Sequence, residues 1–157
     1  IDKENYYLDI AQTVAGRSTC LRRCYGAILV KSDEIISTGY NGAPRGRRNC
    51  VDLNYCTREA LNIPSGERYE LCRSVHAEAN AIISAARRDT LGSTLYLAGR
   101  EAKDGRLLHD ATSCSMCRRV IINAGITRVV IRNTQREYSV VQVEDWIRED
   151  DSLPRSL

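Results

Sequence analysis

Hydrophobic residues recur along this chain in two different patterns, and each pattern predicts one kind of element. Near the N-terminus, apolar side chains three or four residues apart predict a helix over 2–15, with Asp2 as its N-cap. The same spacing predicts three further helices, over 76–88, 114–124 and 144–150. The apolar face of the helix over 76–88 is expected to consist of Ala79, Ile82, Ile83 and Ala86. Short apolar runs bounded by turn residues predict strands over 26–30, 35–40, 94–98, 127–132 and 138–143.

The order of these elements predicts how the strands pair. Lys31-Ser32-Asp33 joins the first two strands, which favours a β-hairpin. One helix separates the strands over 94–98 and 127–132, so a right-handed crossover should make those two strands parallel. Two segments lack a periodic pattern: the cysteine-bearing stretch 47–73 and the polar excursion 99–112. A long aperiodic segment in a small domain is usually functional or held in place by something else.

Length and composition narrow the class of protein. A chain of 157 residues suits a single domain over 1–157, and 43% hydrophobic with 27% charged residues is ordinary for a globular protein. A net charge of +3 does not by itself indicate nucleic-acid binding. No apolar run approaches the roughly 20 residues of a membrane span, and no signal peptide is visible. Seven cysteines without secretory features predict metal ligands and buried thiols in a cytoplasmic protein.

One histidine, two cysteines and one glutamate have the spacing of a catalytic zinc site. His76 opens one predicted helix, while Cys114 and Cys117 lie in the first turn of another, where both sulfurs face the same side. Zinc binds imidazole and thiolate, and a hydrolytic site needs three protein ligands with a position open for water. Glu78, two residues past the histidine, is placed to transfer protons rather than to bind metal.

A structural zinc site is the alternative to a catalytic one. A lone Cys-x-x-Cys pair in an intracellular chain is as often structural as catalytic, and His-Ala-Glu alone carries no information. A structural site would need a fourth ligand and would have no use for Glu78. Because both motifs open a predicted helix within one strand-helix-strand context, we favour the catalytic interpretation.

These motifs and several others resemble the cytidine and deoxycytidylate deaminase superfamily, and within it the deoxycytidylate branch. His-x-Glu followed by Pro-Cys-x-x-Cys is the signature of zinc nucleobase deaminases. The similarity extends from about 17 to 132. Its more specific markers are Arg17-Ser18-Thr19-Cys20, Gly39-Tyr40-Asn41-Gly42-Ala43-Pro44-Arg45-Gly46, Pro64-Ser65-Gly66-Glu67-Arg68 and Ile121-Ile122-Asn123-Ala124-Gly125-Ile126. Ser113 replaces the usual proline, which removes a preset φ but no ligand.

The resemblance implies both a fold and an activity. The fold is α/β, a three-layer α-β-α cytidine-deaminase-like sandwich with a mixed sheet of about five strands. The activity is zinc-dependent hydrolysis of dCMP to dUMP and ammonia, which supplies dUMP for thymidylate synthesis. The protein would be a homo-oligomer, a hexamer or a dimer, that binds neither nucleic acid nor membranes.

The resemblance also implies roles for residues that bind nucleotides. Asn41 would contact the sugar of the substrate, and the backbone of Ala77 would contact its base. The loop that contains Gly39, Tyr40 and Gly42 would bind a regulatory nucleotide, with dCTP and dTTP as the candidate effectors. The simpler alternative for Asn41-Gly42 is a tight turn without a ligand.

Four of the remaining cysteines suggest a second, structural zinc ion. A four-thiolate site is closed and tetrahedral, and it would hold the segment 47–73 against the start of the hairpin. Cys24 is left over in an apolar context and is expected to be buried. The alternative is that all of these cysteines are buried thiols. The predicted ligands are Cys20, Cys50, Cys56 and Cys72.

Two other functions remain open. One keeps the fold and the zinc but acts on another cytosine or adenine nucleoside or nucleotide. The other is a non-catalytic, zinc-stapled regulator that binds nucleotides. The excursion 99–112 lies next to the predicted metal and could reshape access for the substrate. The segment from about 133 resembles the superfamily only weakly, so no function is assigned to it.

Overall fold

A computed structural model describes residues 1–150 and 152–157, and the elements below are those of the described residues. The helices are α1 (Lys3–Ala15), α2 (Cys50–Leu53), α3 (Thr57–Ala60), α4 (Ala77–Ile83), α5 (Arg87–Thr90), α6 (Ser115–Asn123) and α7 (Val143–Arg148). The strands are β1 (Arg23–Lys31), β2 (Glu34–Tyr40), β3 (Thr94–Glu101), β4 (Arg128–Arg132) and β5 (Tyr138–Gln142). A 3₁₀ turn covers Tyr69–Leu71.

The strands form one mixed sheet in the order β2-β1-β3-β4-β5. β1 and β2 are antiparallel and joined by a tight turn at Ser32 and Asp33, which both adopt positive φ. β3 pairs antiparallel with β1 and parallel with β4, and β5 is antiparallel to β4. The predicted hairpin and the predicted parallel pair are both confirmed.

Helices cover both faces of the sheet. Ile28 and Val30 of β1 belong to a core cluster with α1, whereas Ala27 and Leu29 belong to a second cluster with α4, α6 and α7. The alternation follows from the period of two that a strand imposes on its side chains. The result is the predicted three-layer α-β-α sandwich around a mixed sheet.

A buried arginine holds α1 on its face of the sheet. Arg132 of β4 is 1% exposed, and its guanidinium donates hydrogen bonds to Asp9 (2.7 Å) and Gln12 (2.8 Å). It also donates to the carbonyl and side-chain oxygens of Asn5, at 3.2 and 3.1 Å. The buried positive charge is therefore balanced by a carboxylate, as a buried ion normally requires.

The helix predicted over 76–88 is shorter than expected, because α4 ends at Ile83. The predicted apolar face is correct only in part: Ile82 packs against the core, but Ile83 is 74% exposed, and the residues that the helix buries completely are Ala77 and Ala81. Small residues are required on this face because α4 lies directly on Gly39 of β2. A Cβ atom at Gly39 would overlap the backbone of both alanines.

β3 continues beyond the predicted strand 94–98 to Glu101 and pairs with β1 along its whole length. The excursion predicted from residue 99 therefore begins after Glu101. It folds back onto β3 through a backbone bridge between Arg100 and Leu107.

The C-terminal elements lie within two residues of their predicted positions, as β5 over 138–142 and α7 over 143–148. Trp146 of α7 is half-buried against the core cluster that includes α6. Cys24 of β1 is 4% exposed, as expected for a buried thiol. None of the described helices is both long and apolar enough to cross a membrane.

Candidate metal centre and active-site cleft

The residues of the predicted metal centre come from the two connections that flank β3. His76 is the N-cap of α4, Cys114 is the N-cap of α6, and Cys117 lies in the first turn of α6. The two helices contact each other on one face of the sheet. Their N-terminal ends therefore bring the three side chains together.

The distances between these side chains suit a zinc ion. His76 Nδ1 lies 3.2 Å from Cys117 Sγ and 3.6 Å from Cys114 Sγ. All three ligand atoms lie within 4.8 Å of one another. Zinc bonds of about 2.0–2.1 Å to nitrogen and about 2.3 Å to sulfur, at tetrahedral angles, separate such atoms by about 3.6 Å. The set fits zinc and leaves one tetrahedral position without a protein ligand.

The ligands strongly perturb one another's pKa values. Cys117 donates a hydrogen bond to Cys114 and, with the nearby His76, lowers the pKa of the Cys114 thiol to about 4. The pKa of Cys117 rises because of that bond to Cys114, its burial and the charge of Glu78. Hydrogen bonds to Cys114 and Cys72 raise the pKa of His76 to about 10. Metal binding here would displace protons and neutralise negative charge.

Glu78 lies beside this group without belonging to it. It is in the first turn of α4, is 6% exposed, and lines the same cleft as His76 and Cys114. In the part of the chain that the structure describes, the clustered ligand atoms belong to His76, Cys114 and Cys117 and do not include its carboxylate. This is the placement expected of a carboxylate that moves protons near a metal.

The loop after β2 positions the start of α4. Val75 donates its N–H to Gly42 O at 2.7 Å and accepts from the Gly42 N–H at 3.2 Å. The Asn80 side chain donates to Tyr40 O at 2.8 Å. The loop is therefore bound to the residue that precedes His76. Its predicted role in binding a regulatory nucleotide stays a prediction.

Asn41 and Ala77 occupy different environments. Asn41 lines the cleft, but its side-chain amide already bridges β1, donating to Arg23 O and accepting from the Tyr25 N–H, both at 2.9 Å. One amide N–H and one lone pair remain for a substrate. Ala77 is fully buried as the first residue of α4. The contacts assigned to these two residues stay predictions.

The four cysteines of the predicted second zinc site are neighbours around one small cavity. This cavity, about 20 Å³ in volume, is lined by Cys20, Cys50, Cys56 and Cys72. Burial and the nearby Cys20 thiol raise the pKa of Cys50. Cys72 also faces the metal centre: burial raises the pKa of its thiol, but hydrogen bonds from His76 and Ser74 together with the charge of His76 lower it overall. Within residues 1–150 and 152–157 the four sulfurs do not gather as tightly as the His76 group. The second zinc stays a prediction.

Sequence reasoning missed the wall of the cleft that the segment 47–73 builds. The cleft has a volume of about 120 Å³, and Arg58, Ser65 and Tyr69 line it together with the metal-centre residues. The Tyr69 ring meets the His76 ring edge-on, with centroids 5.3 Å apart. No periodicity marks these residues, and the one available cue was the Pro-Ser-Gly-Glu-Arg motif just before Tyr69.

The excursion after β3 forms another part of the cleft. Ala111 and Thr112, at its end, are among the lining residues, so the predicted influence on access has a structural basis. Ser113 is buried, and its carbonyl oxygen accepts a hydrogen bond from Arg118 Nε at 3.1 Å. His109, also in this excursion, is exposed and is not among the residues that line the cleft.

The chain is similar to known deaminases. The family described as "Cytidine and deoxycytidylate deaminase zinc-binding region" matches residues 1–133. The deoxycytidylate deaminase of Mycobacterium phage D29 is 38% identical over 134 residues, which cover 82% of this chain and 93% of the relative. The deoxycytidylate deaminase of Schizosaccharomyces pombe is 33% identical over 127 residues, covering 81% of this chain but only 36% of the yeast protein.

Solved structures agree with these relatives. The dCMP deaminase from cyanophage S-TIM5 in apo form superposes with a TM-score of 0.57 at 27% identity, covering 85% of this chain and 86% of that one. The same enzyme in complex with dCMP and dUMP gives a TM-score of 0.56 at 26% identity, with coverages of 85% and 84%. The match of the family over most of the chain, the fold and the cluster of His76, Cys114 and Cys117 agree: this chain belongs to the cytidine and deoxycytidylate deaminase family.

Proposed function

We propose that this protein hydrolyses dCMP to dUMP and ammonia, with one zinc ion held by His76, Cys114 and Cys117. The observation that carries the proposal is the three-ligand group with Glu78 beside it, in a cleft that His76, Glu78 and Cys114 line. Support for the substrate comes from relatives named deoxycytidylate deaminase and from the cyanophage enzyme solved with dCMP and dUMP.

In the proposed reaction the zinc site and Glu78 have different roles. Zinc, when bound, supplies a Lewis acid that brings the pKa of a coordinated water to about 7. Glu78 accepts a proton from the attacking water and donates it to the ring nitrogen next to the amino-bearing carbon. It then transfers the second proton to the amino group, which leaves as ammonia while the carbon gains an oxygen. General acid–base assistance of this kind contributes about 10²–10⁴-fold in rate.

Other residues would position the substrate. Asn41 uses its remaining amide N–H and lone pair to hydrogen-bond the sugar. The Ala77 backbone, at the start of α4, contacts the base. The Gly39–Gly42 loop binds dCTP or dTTP as an effector. The protein works as a cytoplasmic homo-oligomer. In each subunit, residues 1–157 form a single domain. These roles rest on the resemblance to the family.

Assays with a panel of cytosine and adenine compounds test the proposal directly. Ammonia release would be measured with dCMP, CMP, deoxycytidine, cytidine, cytosine and dAMP at matched zinc content. The highest kcat/KM is expected for dCMP. Faster turnover of dAMP or of an unphosphorylated nucleoside would reject the proposed substrate, while no turnover of any compound would favour a non-catalytic nucleotide-binding protein.

A further inference from the structure

One buried cation of the cleft has no carboxylate partner among residues 1–150 and 152–157. Arg58 of α3 is 6% exposed, although it belongs to a one-turn helix on the surface. Among the residues that the structure describes, no carboxylate forms an ion pair with it. Arg132, the other buried arginine, pairs with Asp9 at 2.7 Å. A buried charge without a partner is costly, so an anion in the cleft would stabilise this site.

The other two arginines of the cleft differ in this respect. Arg22 pairs with Glu59 at 3.1 Å, and Arg23 pairs with Glu101 at 3.5 Å. Both pairs are partly exposed and largely satisfied within the protein. Of the three arginines that line the cleft, Arg58 is therefore the one without an ion pair among the described residues, and its charge is available to a ligand.

The guanidinium of Arg58 is held in a fixed position. Nε donates to Glu67 O at 3.2 Å, and one terminal nitrogen donates to Pro64 O at 2.9 Å. Its central carbon lies 4.2 Å from the centroid of the Tyr69 ring. Two of its five N–H donors are thus used by carbonyls, and the others remain for an anion. A preorganised guanidinium suits phosphate, which accepts parallel N–H bonds.

The position of Arg58 relative to the metal centre indicates which anionic group of a ligand it would bind. The Tyr69 ring that stacks on Arg58 also contacts the ring of His76, with centroids 5.3 Å apart. One aromatic ring therefore separates the guanidinium from a metal ligand. In a bound nucleotide, the sugar similarly separates the reacting base from the 5′-phosphate.

We propose that Arg58, stacked on Tyr69, binds the 5′-phosphate of the substrate and makes the enzyme select nucleotides over nucleosides. The assignment rests on the proposed deamination of dCMP. It gives the aperiodic segment 47–73 a function, because that segment carries both residues. Hydrogen bonds to a charged group contribute enough to change affinity about 10- to 100-fold.

Kinetics with paired substrates test the proposal. Wild type, Arg58→Gln and Arg58→Lys would be assayed with dCMP and with deoxycytidine. Arg68→Gln is the control, since Arg68 lies in the same segment but is exposed and paired with Glu70. Arg58→Gln should lower kcat/KM for dCMP about 10- to 100-fold and change that for deoxycytidine less than about threefold, with an intermediate loss in Arg58→Lys. Equal losses for both substrates, or none, would overturn the assignment.

Product binding gives a readout that does not depend on turnover. Calorimetry should show that wild type binds dUMP at least about tenfold more tightly than deoxyuridine, and that this ratio collapses in Arg58→Gln or Arg58→Lys. An unchanged ratio would reject the phosphate contact. If neither variant folds, Arg58 is a structural anchor for the 64–67 carbonyls and the assignment is rejected. A wild type that is active on other amines but not on dCMP would instead reject the proposed function.

Discussion

Gly39 of β2 lies directly beneath Ala77, the first residue of α4, with no room for a side chain between the strand and the helix. A Cβ atom there would overlap the Ala77 carbonyl oxygen and the Ala81 nitrogen. Since Ala77 follows His76, the predicted zinc ligand, this close contact determines the position of that side chain. Gly39 belongs to a motif that suggests nucleotide binding, but the packing of α4 on β2 already requires a glycine at this position.

Gly39→Ala should displace α4 and weaken the metal centre. Overpacking against backbone atoms typically costs about 1–3 kcal/mol, so unfolding in urea should shift by about that amount. Zinc should also leave the folded protein faster, as measured by capture with a chelator. Gly26→Ala is the matched control, because its Cβ atom would overlap Ala11 and Ala15 of α1 on the opposite face. It should lose stability but keep its rate of zinc release. Equal rates of zinc release in both variants would contradict this account.

Glu78→Gln should keep the fold and the zinc but lose nearly all turnover. The amide retains the shape of the side chain but cannot accept the proton of water, and about 10²–10⁴-fold in rate depends on such transfers. His76→Ala should instead lose the metal. Zinc content and ammonia release would be measured on the same samples, with the exposed Glu70→Gln as control. More than a tenth of wild-type activity in Glu78→Gln would disprove the proton-transfer role.

Pure wild-type protein should contain two zinc ions per chain. The second would lie among Cys20, Cys50, Cys56 and Cys72, which share one small cavity. Cys50→Ser should reduce the count to one and loosen the segment 47–73, as measured by proteolysis. Cys24→Ser removes a thiol buried in β1 instead and should keep both ions. One zinc in wild type, with Cys20 and Cys72 freely alkylated, would show that these residues are ordinary thiols.

Stability should fall in alkali because of Tyr7. Its hydroxyl donates to Asp33 Oδ1 at 2.5 Å, and this hydrogen bond, with burial and the charge of Asp33, raises the pKa of Tyr7 to about 12. An unfolded tyrosine ionises near pH 10, so its contribution is fully present below about pH 10 and is lost as the pH rises toward 12. Tyr7→Phe should lower stability at pH 8 and flatten the decline above pH 10 in urea unfolding. The exposed Tyr6→Phe is the control and should follow wild type. If the stability of Tyr7→Phe falls as steeply above pH 10 as that of wild type, the loss of stability is caused by other groups.

The metal centre could be predicted from the sequence because its chemistry is local. Cys114 and Cys117 lie one turn apart and His76 and Glu78 two residues apart, so spacing alone places each pair near a helix start. The structure confirms both predicted helix starts, with His76 as the N-cap of α4 and Cys114 as the N-cap of α6. The pairing of β3 with β4 was equally predictable, since one intervening helix restricts the connection to a parallel crossover.

The failures involve contacts between distant segments. Ile83 was placed in the core because it continues the helical spacing of apolar residues, yet it is 74% exposed, and the residues of α4 that lie against Gly39 of β2 are Ala77 and Ala81. Arg58 and Tyr69 were missed because nothing periodic marks them. Their position depends on how 47–73 folds over the cleft, and the sequence of one chain taken alone carries no direct signal of that fold.

The position of β3 between β1 and β4 would also affect when a metal ion can bind. His76 precedes β3 and Cys114 follows it, 38 residues later, so the two predicted ligands are neighbours in the folded chain on either side of a strand that lies inside the sheet. Zinc would therefore bind the assembled sheet and not its precursors, and it would stabilise the native state by mass action. In a growing or refolding chain, metal capture would be a late event that locks two helices across a central strand. The same ion would then act as a cross-link that keeps the chain from opening between the two halves of its sheet.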